Sequence, residues 1–192
     1  PTCEFFPMQA TQTNVLGSRN VIDSAISHGV FKVVSLSTDK AVYPVNALGI
    51  SKALMEKMVE ASARNLGEGE TVLTLVRYGN VLFSRGSVIP LFMKQIKENN
   101  AISVTEPEMT RFLLPLKEAI DLVSFAIEKG RQGDIFVRKA PSCLIGDLAQ
   151  AVKKIFRSNS EIKTIGMRHG EKMYETLASK GELLRSEDMG DY

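Results

Sequence analysis

The chain has 192 residues, of which 44% are hydrophobic and 24% charged, and its formal net charge is +2. This composition is typical of a globular protein and excludes a strongly cationic chain built for nucleic acid or an anionic membrane. Cys3 and Cys143 do not form a disulfide framework, and neither they nor the two histidines have metal-ligand spacing. We expect a protein of the reducing cytoplasm, with no metal ion and no membrane segment.

The first part of the chain alternates between helix and strand signals. Apolar spacing predicts a helix from Met8 to Ser27, followed by the strand VFKVVSLS. A second helix is predicted from about Asn46 to Asn65, followed by the strand TVLTLVRYGNV. Val-rich strands that alternate with helices are typical of a parallel sheet. The predicted fold class is α/β, and residues 1–85 have the pattern of the second half of a doubly wound, Rossmann-type sheet.

The pattern loosens after Gly86, and residues 86–192 are predicted to form mainly a smaller α/β lobe. The predicted helices cover residues 89–99, 116–129 and 145–156, with a last helical piece near 170–179. The predicted strands cover residues 101–105, 134–139 and 161–166.

The segment STDK, residues 37–40, follows the first predicted strand directly. Ligands of open α/β sheets bind outside the carboxyl ends of the strands, so Thr38, Asp39 and Lys40 are candidate site residues. Lys52 follows Leu48 by four residues on the next helix, so both side chains should face the strand ends. The alternative is that Thr38 and Asp39 only cap a turn and both lysines are solvated.

Five segments occur in order along the chain: STDKAVYPVNALGISKALMEK, RYGNVLFSRGSVIPLF, MTRFLLPL, RHGEKMYETL and SEDMGDY. Together they resemble the CapD-type polysaccharide biosynthesis proteins, a branch of the extended short-chain dehydrogenase/reductases, and the resemblance runs from about Phe6 to Tyr192. It implies a UDP-N-acetylglucosamine 4,6-dehydratase of capsule or O-antigen synthesis that often inverts C5 and holds NADP, with NAD as the alternative. The first part would then belong to the cofactor domain and the second to the nucleotide-sugar lobe.

The resemblance also implies roles for the candidate catalytic residues. Asp39 matches the acid at C6 of the sugar, Lys40 matches the base at C5, and Thr38 would hydrogen-bond the oxygen on C4. Lys52 would act beside the nicotinamide and the ribose. Many members of the wider superfamily have Tyr at the position of Leu48 as the base at C4, and Leu cannot move a proton. Lys40 is therefore expected to act as the base at C4 as well, through Thr38 or a water molecule, and Tyr43 is the alternative candidate.

Further residues match binding positions of the resembling proteins. The implied cofactor contacts are Asn14, Lys52, Tyr78 and Asn80. The implied substrate contacts are Asn80, Arg85, Val88, Arg111, Arg168 and Glu171. The arginines suit phosphate because a guanidinium group matches phosphate oxygens. The alternatives are that Asn80 only forms a turn and that the arginines are ordinary surface residues.

The Gly-rich loop that holds a dinucleotide after the first strand of a Rossmann domain is not found in this sequence. The segment GEGE precedes a strand and is a turn. We therefore expect this chain to be part of a longer protein that forms a homo-oligomer. Two rival functions stay open: a non-catalytic nucleotide-sugar binding module, and a UDP-sugar 4-epimerase, which normally needs the Tyr that Leu48 replaces. The choice between NADP and NAD and the outcome at C5 also stay open.

Overall fold

The computed structural model describes residues 2–192 as helices and short strands joined by turns. The helices are α1 (Thr2–Phe5), α2 (Pro7–Thr11), α3 (Ser18–Ser27), α4 (Ala47–Arg64), α5 (Val88–Lys97), α6 (Leu116–Lys129), α7 (Ile145–Ile155) and α8 (Lys180–Leu183). The strands are β1 (Lys32–Thr38), β2 (Val72–Tyr78), β3 (Asn80–Val81), β4 (Ile102–Val104), β5 (Thr110–Leu114), β6 (Ile135–Val137), β7 (Ser142–Leu144) and β8 (Ile162–Thr164). A π-helical segment, Gln12–Gly17, joins α2 to α3, and a 3-10 turn, Asp39–Ala41, follows β1.

The chain divides into two compact units. The first contains the residues up to Tyr78 together with 117–139 and 176–192, and the second contains 79–116 and 140–175. These bounds differ from the predicted division at residues 85 and 86, because α6, β6 and the C-terminal residues return to the first unit.

The first unit is built on a three-stranded sheet of order β1-β2-β6 in which every pair is parallel. Helix α4 connects β1 to β2, and α6 lies between β2 and β6 in the chain. Ile22, Met55, Val59 and Leu75 pack together in its main core. The predicted α/β class with a parallel sheet is confirmed, since apolar side chains cover both faces of β2.

The predicted helix from Met8 to Ser27 is observed as α2, the π-helical segment and α3 in continuous succession. The π-helical turn contains one more residue between hydrogen-bonded groups than an α-helical turn, which is not visible in the spacing of apolar residues. Asn14 lies in this wider turn.

The second unit contains the sheet β3-β5-β7 and the separate parallel pair β4-β8. Phe92, Ile102, Met109 and Ala149 form the centre of its core. Strands β5 and β7, which pair antiparallel, were not predicted as strands. Each has at most five residues, and such short runs carry little periodicity.

Two sequence predictions of secondary structure were wrong in detail. The helical piece expected near residues 170–179 is not helical, and α8 begins only at Lys180. Ser179 sets that start, because it forms a reciprocal capping box with Glu182. The strand predicted through residue 81 is interrupted at Gly79, where the chain leaves β2 and enters β3.

No helix within residues 2–192 combines the length and the apolar character that crossing a bilayer would require.

A close approach between α4 and the turn after β1 requires glycine at position 49. A Cβ added to Gly49 would lie 2.2 Å from the carbonyl oxygen of Lys40 and 3.1 Å from the Cβ of Pro44. The first turn of α4 therefore rests directly on the backbone that follows β1.

Replacing this glycine should cost stability. We expect Gly49→Ala in the full-length protein to lower the free energy of unfolding by about 1–3 kcal/mol, because backbone must move to admit the methyl group. Gly181→Ala is the matched control, since an added Cβ there meets nothing within 4 Å. Urea denaturation of both variants measures the difference, and equal midpoints would contradict the packing argument.

Candidate functional site

The candidate catalytic residues lie where β1 ends and the 3-10 turn begins. Thr38 is extended, with φ −151° and ψ 155°, and its side-chain oxygen accepts a hydrogen bond from the backbone N–H of Lys40 at 3.4 Å. The N–H of Val42 donates to the carbonyl of Asp39 and closes the turn. The chain thus leaves the strand at Thr38, so that three successive residues gather at the carboxyl end of β1.

Asp39 and Lys40 form a close pair in this turn. The Asp39 side chain has no exposed surface, while that of Lys40 is 24% exposed. Asp39 Oδ1 accepts a hydrogen bond from the Thr38 hydroxyl at 2.8 Å and lies 3.0 Å from Lys40 Nζ. Asp39 Oδ2 is buried and has no hydrogen-bond partner among residues 2–192. Thr38 therefore caps the turn, as the alternative interpretation held, but Asp39 and Lys40 are paired and not fully solvated.

Lys52 lies on α4, one turn after Leu48, and its side chain returns to β1. Its ammonium group donates to the carbonyl of Leu36 at 2.9 Å. Burial lowers the pKa of Lys52, and the carboxylate of Glu56 opposes that shift. The half-buried lysine is thus fixed near the carboxyl end of the strand, as its spacing predicted.

Asn14 contacts the helix that carries Lys52. Its side-chain amide donates to the hydroxyl of Ser51 at 3.0 Å, and that hydroxyl donates to the carbonyl of Leu48 at 3.0 Å. Asn14 therefore holds the first turns of α4 against the π-helical segment.

A buried ion pair lies behind these residues. Arg77 on β2 donates to both carboxylate oxygens of Glu56, from Nε at 2.7 Å and from Nη2 at 2.6 Å. The two side chains are 4% and 3% exposed. Ser37 donates to Glu56 Oε1 at 2.5 Å, and Glu182 Oε1 accepts from Arg77 Nη2 at 2.8 Å. Burial lowers the pKa of Arg77, but the hydrogen bonds to both glutamates outweigh it and raise that pKa above its usual value.

Three of the predicted substrate residues lie near β3 and the start of α5 in the second unit. Asn80 is half-buried on β3, and its Oδ1 is buried without a hydrogen-bond partner in the described part of the chain. Arg85 is exposed in the loop before α5. Val88 is the first residue of α5 and packs against the core of that unit.

The other predicted substrate residues lie on β5 and in the segment from 168 to 172. Arg111 Nη1 donates to the carbonyl of Thr110 at 2.7 Å and to that of Lys172 at 3.0 Å. Arg168 is exposed, and its backbone N–H donates to Glu171 Oε2 at 3.1 Å. The structure therefore brings Arg168 and Glu171 together in one turn, and it ties Arg111 to the same segment.

A family model described as polysaccharide biosynthesis protein matches residues 1–192. The chain belongs to this family. A UDP-glucose 4-epimerase of Rickettsia felis is 58% identical over 192 residues, and one of Rickettsia akari is 57% identical. The chain spans 56% of the length of both relatives. The predicted family is confirmed, and the predicted activity stays a prediction.

Two solved structures of similar proteins share the fold of this chain. Pen from Bacillus thuringiensis superposes with a TM-score of 0.94 at 40% identity, covering 99% of this chain and 60% of that one. The UDP-glucose 4-epimerase of Thermotoga maritima, solved with UDP-glucose, has a TM-score of 0.82 at 21% identity, covering 94% and 65%. The second likeness concerns the fold alone and supports the Rossmann-type α/β class.

Sequence reasoning missed the ion pair that Glu56 and Arg77 form in this family member. Two signals could have found it. Arg77 is a charged residue inside an otherwise apolar strand, where a buried guanidinium needs a carboxylate partner. Glu56 follows Lys52 by four residues, so both lie on one face of α4.

Removing one charge of this pair should be costly. We expect Glu56→Gln to lower the free energy of unfolding of the full-length protein by about 3 kcal/mol, because Arg77 stays buried with its main partner neutral. Glu60→Gln, on the same helix, is the matched control, because Glu60 pairs with the exposed side chains of Lys57 and Arg64. That control should lose no more than about 1 kcal/mol. Denaturant unfolding measures both changes, and similar losses would contradict the assignment.

Proposed function

We propose that the full-length protein is a nicotinamide-dependent UDP-N-acetylglucosamine 4,6-dehydratase that inverts C5 in polysaccharide biosynthesis. The observation that carries this proposal is the buried Asp39 carboxyl beside the Lys40 ammonium, on one turn at the carboxyl end of a parallel strand. An acid and a base at adjacent positions suit a reaction that removes one proton and adds another.

The elimination needs a base at C5 and an acid at the C6 oxygen. Lys40 in its neutral form would accept the C5 proton, and Asp39 in its protonated form would give a proton to the departing C6 hydroxyl, which leaves as water. The two groups lie 3.0 Å apart, so a proton could move from Lys40 to Asp39 before the elimination. Delivery of a proton to the opposite face of C5 would give the inverted 4-keto-6-deoxy sugar.

Position 48 supports a reaction in which these two residues do most of the proton transfer. Leu48 stands four residues before Lys52, where many members of the wider superfamily have Tyr and the branch that this sequence resembles typically has Met. Like Met, its side chain cannot exchange a proton. The hydroxyl of Thr38 already donates to Asp39. A proton from the C4 hydroxyl would pass through Thr38 or a water molecule to neutral Lys40 and on to the Asp39 carboxylate, which lies 3.0 Å from Lys40 Nζ. Lys40 would then be neutral again and able to accept the C5 proton.

The nicotinamide end of the cofactor would be held by residues of the first unit. Tyr78 lies at the carboxyl end of β2, opposite Thr38, and Lys52 is fixed near the end of β1. The hydroxyl of Tyr78 and the ammonium of Lys52 fit a ribose and a carboxamide, and the Asn14 amide holds α4 in place through Ser51. When bound, the cofactor supplies the hydride acceptor and donor for the sugar. NADP is proposed, with NAD as the alternative.

The nucleotide part of the substrate would be bound by residues of the second unit. Asn80 Oδ1 is buried and has no hydrogen-bond partner within residues 2–192, which supports a ligand contact because such an atom normally has a partner. The guanidinium groups of Arg111 and Arg168 suit the diphosphate, and Glu171, which shares a turn with Arg168, suits ribose hydroxyls. Arg85, in the loop before α5, is a further candidate substrate contact. Val88 would offer apolar surface to the base. We also propose that the full-length protein acts in the cytoplasm as a homo-oligomer.

A UDP-sugar 4-epimerase is the second candidate, because relatives at 58% identity carry that name. Leu48 argues against a 4-epimerase activity, because epimerisation at C4 normally needs the base that Tyr supplies in the wider superfamily. A third outcome, binding without conversion, would identify a nucleotide-sugar binding module.

Mass spectrometry of UDP-N-acetylglucosamine treated with the full-length protein in heavy water tests the proposal. We expect the sugar to lose one water molecule and to gain deuterium at C5. Conversion to a C4 epimer of unchanged mass would establish the second candidate. An unchanged sugar that still binds would establish the binding module.

Two substitutions test the assigned residues. We expect Lys40→Ala to reduce both water loss and C5 deuteration by at least about a hundredfold, because no base remains at C5. Leu48→Met should leave the rate within about twofold, since the swap conserves volume and introduces no proton donor. Both rates are measured by the same heavy-water assay. Substantial activity in Lys40→Ala would refute the assignment of the base.

A further inference from the structure

The C-terminal residues of the first unit are attached to the buried ion pair by one carboxylate. Glu182 Oε1 accepts from Arg77 Nη2 at 2.8 Å, while Glu182 Oε2 accepts from the backbone N–H of Ser179 at 2.7 Å. The carbonyl of Leu177 accepts from Arg77 Nη1 at 3.3 Å. A single side chain thus closes the capping box of α8 and joins the segment from 177 to 183 to Arg77.

The pKa of Glu182 is consistent with its two contacts, to Arg77 and to the backbone N–H of Ser179. Burial raises the pKa, but the hydrogen bonds from Arg77 and Ser179 outweigh it and lower the pKa to about 2. Glu182 is therefore ionised near neutral pH, so that Arg77 binds two carboxylates. Its guanidinium is fixed from both sides, by Glu56 on α4 and by Glu182 on α8.

The same ion pair is attached to both elements of the candidate catalytic site. Glu56 accepts from the hydroxyl of Ser37, the residue immediately before Thr38. Glu56 also lies one helical turn after Lys52 on α4. The contacts run without a gap from Glu182 through Arg77 and Glu56 to Ser37. Hydrogen bonds thus connect the C-terminal segment to the residue that precedes Thr38 and the turn at residues 39–41.

We propose that Glu182 is a positioning residue for the catalytic turn, because it locks the C-terminal segment onto Arg77 and thereby fixes Glu56, Ser37 and the turn that follows. Its side-chain hydrogen bonds go to Arg77 and Ser179, outside the groups to which we assign proton transfer. Its effect passes through the ion pair. The inference rests on the proposed function for its kinetic consequence, but its structural part stands without any activity.

The test compares Glu182→Gln with Glu187→Gln in the full-length protein. Both variants remove one negative charge from the C-terminal residues of the first unit, but Glu187 is exposed and lies four residues beyond α8. The Glu182→Gln substitution keeps the size of the side chain and removes the charge that binds Arg77. Two quantities are measured: backbone amide hydrogen exchange at Lys40 and Val42, and kcat with KM for water loss from UDP-N-acetylglucosamine.

We expect faster exchange at Lys40 and Val42 in Glu182→Gln, because their N–H groups form the bonds of the turn. We also expect kcat to fall about tenfold to a hundredfold with KM unchanged, since small displacements of catalytic groups have effects of that size. Glu187→Gln should match the wild type in both measurements. Exchange that rises only in residues 176–187, with the turn unaffected, would overturn the inference.

The two proposals fail in different ways. A wild-type protein that converts no sugar refutes the proposed function, and the exchange data then decide the inference alone. If Glu182→Gln does not fold, Glu182→Asp replaces it, because that variant keeps the charge but shortens the side chain that reaches Arg77 by one methylene group. Faster exchange at Lys40 in Glu182→Asp would support the inference, and unchanged exchange would overturn it.

Discussion

The ion pair between Glu56 and Arg77 is the interaction on which the first unit depends. Two charges removed from water are stable only when each meets its partner in good geometry and the remaining polar atoms are bonded. Here the guanidinium donates twice to Glu56 and once to Glu182, and the hydroxyl of Ser37 donates to Glu56. Because these residues come from β1, α4, β2 and α8, the pair fixes four elements relative to one another.

The turn after β1 follows from this arrangement and from steric limits. Ser37 is held by Glu56, and Gly49 lets the first turn of α4 rest on the carbonyl of Lys40. These two contacts therefore fix the position at which the chain leaves β1. Asp39 becomes fully buried as a result, and Lys40 remains close enough to pair with it. A short loop can hold an acid and a base at fixed positions because the elements on either side are rigid.

The second unit is built from shorter strands around a core of its own. Its core forms around Phe92 and Met109, and β5 carries Arg111 to the segment that contains Lys172. Membership in the polysaccharide biosynthesis family covers both units, since the family model matches the whole chain. Leu48 remains the main departure from the wider superfamily, and it shifts the expected proton chemistry toward Asp39 and Lys40.

The sequence by itself determined the α/β class and the longer helices and strands, because the periodicity of apolar residues is a local property. It also placed Thr38, Asp39, Lys40 and Lys52 at one strand end, because the direction of a strand can be read along the chain. The family followed from five motifs in order. Only the tertiary structure decided that Arg77 turns inward to Glu56, that Glu182 joins them from 105 residues further along the chain, and that α8 begins at Lys180. Such contacts form between different elements, and the spacing of residues within one element does not predict them.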